Sequence, residues 1–151
     1  MKPDLNIFAE TDVQRQLGGL CWRMKNDRVQ ILLITSRETG RWVLPKGWPM
    51  VDRSDEKAVA IEAWEEAGVT GRVGPWIGHY QYDKVQYRAT DRQVVLPCRV
   101  DVHAVRVTDL SKRYPERKQR RRKWFDLAVA AQKVHEPDLA VLIAGFVPPG
   151  H

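Results

Sequence analysis

The sequence predicts an α/β chain, built as an α/β/α sandwich around a mixed β-sheet. Three observations carry this. Extended apolar runs come first, then one amphipathic helix, then further extended runs and a helical C-terminal part; helices on both faces of a sheet are the layered solution for that order. The run Val29-Gln30-Ile31-Leu32-Leu33-Ile34-Thr35 is apolar at nearly every position, as in a strand covered on both sides. The 151 residues, 43% of them hydrophobic, suffice for one sizeable core, and neither an internal repeat nor a linker divides them.

Residues 1–14 are polar and irregular and read as an arm ahead of a single domain over 15–147. Gln16 to Arg23 reads as the first strand, with Gly18 and Gly19 where another backbone or a ligand comes close. Lys25 to Arg28 is a turn, Val29 to Thr35 the second strand, and Ser36 to Arg41 a polar loop. Trp42-Val43-Leu44-Pro45 is short and extended, and Lys46 to Arg53 is a loop feeding the helix. Ser54 is a good N-cap, Asp55 and Glu56 suit the positive end of the dipole, and Gly68 suits the residue after the last turn. The helix is therefore expected over about 55–67. Strands follow at about 72–82 and 92–107, joined by a polar hairpin from Lys84 to Asp91, then a basic loop over 108–120. Lys123 to Phe125 is a last short strand, and helices at about 126–134 and 138–145 are split by Pro137.

The helix carries the chemistry. Glu62, Glu65 and Glu66 stand at i, i+3 and i+4, on one face, with neighbouring Cβ atoms about 5–6 Å apart. Val59, Ala60, Ala63, Trp64 and Ala67 make up the opposite, apolar girth, expected to be buried. Like charges at this spacing repel. A hard divalent cation answers that repulsion, because Mg²⁺ prefers oxygen ligands.

Gly47, followed by Glu62-Ala63-Trp64-Glu65-Glu66-Ala67-Gly68-Val69, resembles the box of the Nudix hydrolases, which reads G-x5-E-x7-R-E-U-x-E-E-x-G-U with U an aliphatic residue. Two positions depart: Arg53 stands at the first acidic place and Ile61 at the Arg place. Asp55, seven residues before Glu62 on the same face, is a partial stand-in for the missing acid. The runs Leu32 to Arg37, Gly40 to Gly47, Arg121 to Phe125 and His135-Glu136-Pro137 are similar to the diphosphoinositol polyphosphate phosphohydrolase branch, with Glu136 where that branch has a basic residue.

The resemblance implies a Nudix-type α/β/α sandwich. It also implies hydrolysis of a diphosphate linkage with Mg²⁺ or Mn²⁺ as cofactor. The substrate expected is a polyphosphorylated small molecule, either a diphosphoinositol polyphosphate or a dinucleoside polyphosphate. Glu62, Glu65 and Glu66 would hold the metal, with Gly47 adding a ligand, and Glu62 or Glu65 would be the catalytic base. Arg37, Arg41, Lys46, Arg121 and Arg122 are the expected phosphate contacts.

A net charge of +6 agrees with an anionic partner. Eight Lys or Arg and one acid lie between Lys112 and Lys123. Such a run also suits nucleic-acid phosphates, although Trp48, Trp64 and Trp76 form no recognisable stacking motif, so nucleic acid is the lesser expectation. A phospholigand sensor without turnover is a third class. Cys21 and Cys98 read as buried free thiols in a reducing, cytoplasmic setting, and two cysteines make no four-ligand zinc site. The start lacks an apolar signal stretch and no run is long enough for a membrane span. His79, His103 and His135 are isolated and read as structural.

Overall fold

The computed structural model describes residues 12–87 and 93–149. The expected arm therefore falls largely outside the described residues, as do the tip of the hairpin and His151. One seven-stranded sheet is built from β1 (Gln14–Lys25), β2 (Arg28–Thr35), β3 (Trp42–Val43), β4 (Lys46–Gly47), β5 (Val69–Tyr87), β6 (Gln93–Leu110) and β7 (Arg122–Asp126). Its main order is β3-β2-β1-β6-β5, with β4 paired to β1 and β7 to β2. β1 and β6 run parallel from Gln14↔Cys98 to Trp22↔Arg106, and the pairs β1–β2, β1–β4, β2–β3, β2–β7 and β5–β6 are antiparallel. The sheet is thus mixed, as expected. Helix α1 (Asp55–Ala67) covers one face, and α2 (Leu127–Lys133) with α3 (Pro137–Ala144) the other.

Alternation along the strands decides which residue meets which helix. Leu20, Trp22, Ile31 and Leu33 join the core under α2 and α3, with Leu139 and Ile143. Leu17, Cys21, Leu32 and Ile34 join the core under α1, with Val59 and Ala63. β2 is apolar on both sides because it feeds both cores. Gly19 faces α1, where a side chain would press on Val59 Cγ1 at 3.2 Å, so the helix lies close to the sheet. Both cysteines are buried and free.

The helix forms where its caps dictate. Ser54 Oγ accepts from the Lys57 N–H at 3.1 Å, satisfying one orphan donor of the first turn. Gly68 ends it at φ 69°, its N–H reaching back to the carbonyls of Ala63 and Trp64. The buried girth is Ala58, Val59, Ala63 and Ala67. Trp64 departs from expectation and is 38% exposed, because the sheet takes up only a narrow stripe of the helix.

Three further features differ from the expected elements. Lys46 and Gly47 pair with Gly18 and Leu17 as a two-residue strand, a length too short for any sequence pattern. β5 and β6 extend to Tyr87 and Leu110 and carry register shifts near Gly71, Trp76 and Gly78. Asp55, the possible stand-in acid, is bound by Arg15 at 2.6 Å. The same guanidinium meets Asp101 at 2.7 Å, and Asp101 also accepts from Arg99 and Trp76. This cluster ties β1, β6, β5 and the start of α1 together. Among the described residues no helix is long and apolar enough to cross a membrane.

Candidate active site

β4 and α1 meet at a cavity of about 410 Å³, whose walls include Lys46, Gly47, Glu62, Glu66, Glu116 and Arg120. Gly47 is required by space. A Cβ at this position would fall on the Glu62 carboxylate, so β4 can cross the acidic face only with no side chain there. One turn along, the buried Glu66 accepts from the Lys46 backbone N–H at 3.3 Å. β4 is pinned to β1 by its ladder, and this pairing fixes where both carboxylates sit.

Two further residues complete the site: Arg120, read in sequence only as one of a basic run able to meet a polyphosphate, and Glu116, the single acid of that run. Arg120, whose side chain is 9% exposed, lies 3.5 Å from Glu66 and donates to Glu116 at 2.8 Å and to the Thr35 carbonyl at 3.1 Å. Glu116 is placed by its own N–H, which donates to the Glu65 carbonyl at the end of α1. The segment 111–121 is therefore docked on the helix. In sequence it is a run of charges with no periodicity, and only the i, i+4 spacing of Glu116 and Arg120 hinted at a pair.

Burial pushes the Glu62 carboxyl up to about 8, with the charges of Glu66, Glu65 and Glu116 adding to it. Burial also raises Glu66, against the pull of Arg120 and Lys46. Carboxylates this crowded hold a proton unless a cation replaces it. Among the described residues no three His, Cys, Asp or Glu side chains converge as a ready-made metal-ligand set. The oxygen-only donors, the charge deficit at Glu62 and the gap left by Gly47 nevertheless suit a hard divalent ion.

The other expected residues are placed unevenly. Glu65 is half-buried and lies outside the cavity lining, and its carbonyl serves Glu116. Arg37 and Lys46 line the cavity, and Arg37 donates to Gln119 at 2.9 Å. Arg41 lines a second, adjoining cavity. Arg121 and Arg122 line neither of these two cavities. Arg121 lies over the Trp42 ring, 5.7 Å from its centroid. Arg122 donates to the Ala67 carbonyl at 2.7 Å and lies over Tyr114, closing the end of α1. His103 contacts the Gly74 carbonyl through Nδ1, a structural role as expected.

Comparison with known proteins gives the same outline. The NUDIX domain pattern matches residues 14–146. Nudix hydrolase 21, chloroplastic, of Arabidopsis thaliana is 29% identical over 148 residues, covering 95% of this chain and 71% of that protein. Diphosphoinositol polyphosphate phosphohydrolase 3-alpha of Mus musculus is 28% identical over 128 residues, covering 82% of this chain and 72% of that protein. Nudix hydrolase 4 of Arabidopsis thaliana is 27% identical, and the chain spans 63% of its length. Among solved structures, a C. elegans Ap4A hydrolase superposes with a TM-score of 0.58 at 18% identity, covering 87% of this chain and 93% of that one.

Proposed function

The chain belongs to the NUDIX domain family, hydrolases of phosphoanhydride bonds, and on that premise we propose that it cleaves the diphosphate linkage of a polyphosphorylated small molecule with Mg²⁺ or Mn²⁺. A dinucleoside polyphosphate or a diphosphoinositol polyphosphate is the substrate class. The observation that carries this reading is the packing of Gly47 against Glu62, with Glu66 one turn along and Lys46 and Arg37 on the same cavity wall.

Glu62 and Glu66 would hold the cation from the cavity wall, and Gly47 and Glu65 are the further residues that would supply it with oxygen ligands. When bound, the cation supplies charge neutralisation at the phosphate oxygens and makes a water easier to deprotonate. Lys46 and Arg37 take the substrate phosphates, with Arg41 on the wall of the adjoining cavity. Glu62 or Glu65 accepts a proton from the attacking water. The water oxygen bonds to phosphorus, the bridging P–O bond breaks, and the leaving phosphate carries away that electron pair. Arg120 lies between Glu66 and Glu116 and places a positive charge against both.

The test is a panel of diadenosine and diphosphoinositol polyphosphates with Mg²⁺. The native chain releases phosphate or nucleotide from at least one member, and Glu66→Gln loses about a hundredfold or more in rate. Unchanged hydrolysis in Glu66→Gln and Glu62→Gln would refute the assignment. Binding of the panel without any turnover would make the chain a sensor.

A further inference from the structure

Beside the acidic cavity lies a second one of about 110 Å³, and Ser36, Glu38, Lys46, Tyr82 and Lys84 line both. Its charged lining is balanced, with Arg41, Lys46 and Lys84 against Glu38, Asp83 and Glu136. The rings of Tyr80 and Tyr82 lie 6.2 Å apart on its wall, and Lys46 Nζ sits 5.0 Å from the Tyr82 centroid. Glu136, just ahead of α3, reaches this cavity without capping its own helix. Among the described residues its Oε1 is the one buried side-chain oxygen or nitrogen with no hydrogen-bond partner.

A buried acceptor without a donor costs free energy, and a bound group carrying a hydroxyl or amino hydrogen relieves it. A phosphate there would set its own acceptors against Glu136 Oε1 in a cavity with no spare positive charge. We propose that this cavity seats the non-phosphate moiety of the substrate and that Glu136 reads a hydroxyl or amino donor on it. The site therefore selects a diphosphate attached to a neutral, donor-bearing ring, such as a sugar or an aminated base, over a ring studded with phosphates. This rests on the diphosphate-cleaving reading above and narrows it. Glu136 is then a specificity-determining residue, while Lys46, at the boundary of the two cavities, holds the adjoining phosphate.

Titration calorimetry on the full chain with Mg²⁺ tests this, using α,β-methylene-ADP, its 2′,3′-dideoxy form and inositol hexakisphosphate. The native chain binds α,β-methylene-ADP more tightly than inositol hexakisphosphate. Glu136→Ala weakens the nucleotide analogue by about tenfold or more, the usual loss for a bond to a charged group. It leaves inositol hexakisphosphate unchanged or tighter. Glu136→Gln, which keeps an acceptor and guards against a folding artefact, loses less. Dependence on Glu136 that vanishes with the dideoxy form assigns the donor to the sugar; dependence that persists assigns it to the base amine. Preference of the native chain for inositol hexakisphosphate, no binding of the nucleotide analogue, or an equal effect of Glu136→Ala on both probes overturns the proposal. Hydrolysis of the unmodified substrates is scored separately. Donor-selective binding without turnover refutes only the catalytic reading, and turnover with unselective binding refutes only this one.

Discussion

Replacing Arg120 by Met removes the cation that lies between the buried Glu66 and the part-buried Glu116. Its side chain is 9% exposed, and those of Glu66 and Glu116 are 10% and 22% exposed. The Thr35 carbonyl loses a donor as well. Breaking such a pair from one side costs about 3–5 kcal/mol, because the remaining charge stays buried. For a domain of this size that lowers Tm by roughly 6–20 °C. Glu66 can escape by taking up a proton, since burial already raises it; the loss is therefore larger near pH 8 than near pH 5. Urea unfolding of the metal-free chain in EDTA measures it, with an unchanged m-value showing that the unfolded state is the same. The Glu66→Gln/Arg120→Met double variant should lose less than the sum of the two single changes, with a coupling of about 1–3 kcal/mol. A loss below about 1 kcal/mol, the size of a surface pair, with no pH dependence, would refute the view that Arg120 holds this site together.

Glu62 sets a pH dependence of opposite sense to an ordinary paired acid. Its folded carboxyl lies at about 8 and its unfolded one near 4.3, so its contribution is fully present below the unfolded value and lost as pH rises through the folded value. Tm in EDTA should carry a falling contribution between about pH 4 and pH 8, and both excess Mg²⁺ and Glu62→Gln should flatten that fall; a native profile in EDTA that Glu62→Gln leaves unchanged would contradict it. Asp101 works the other way: burial raises it, but the bonds from Arg15, Trp76 and Arg99 outweigh burial and hold it below the usual carboxylate range. Asp101→Asn should lose about 1–3 kcal/mol at neutral pH and converge with the native chain as pH falls below about 4, read by urea unfolding; an equal deficit at low pH would count against the cluster. Gly68→Ala places a Cβ at φ 69° and 2.9 Å from the Ser111 carbonyl. It should cost more than the about 1–2 kcal/mol of left-handed backbone alone, and an unchanged Tm would show that the helix end is not so constrained.

What the sequence made legible is local. The limits of α1 follow from Ser54 and Gly68, and the two-sided burial of β2 follows from its unbroken apolar run. The acidic face was legible because three glutamates share one helical period. The rest of the site depends on contacts far apart in sequence. Arg120 and Glu116 come from a segment whose charges carry no period, and docking on the Glu65 carbonyl selects them. Arg122 looked equivalent to Arg120 in sequence yet serves the helix end. Asp55 looked available to the acidic face, but it is taken by Arg15, a strand residue whose reach no helical pattern reveals. Trp64 looked like core because it stands on the apolar girth away from the glutamates, yet the sheet leaves its side of the helix open.

The parallel pairing of β1 with β6 bears on how the chain is made. Of the seven strands the central one is synthesised before the others, and its parallel partner is the last of the long ones. Until β6 emerges, β1 has only its antiparallel neighbours, and one edge of unpaired backbone N–H and C=O groups stays open. Pairings so distant along the chain close slowly. An open edge in the meantime is a template for other chains, so a nascent chain halted after β5 is the form most exposed to aggregation.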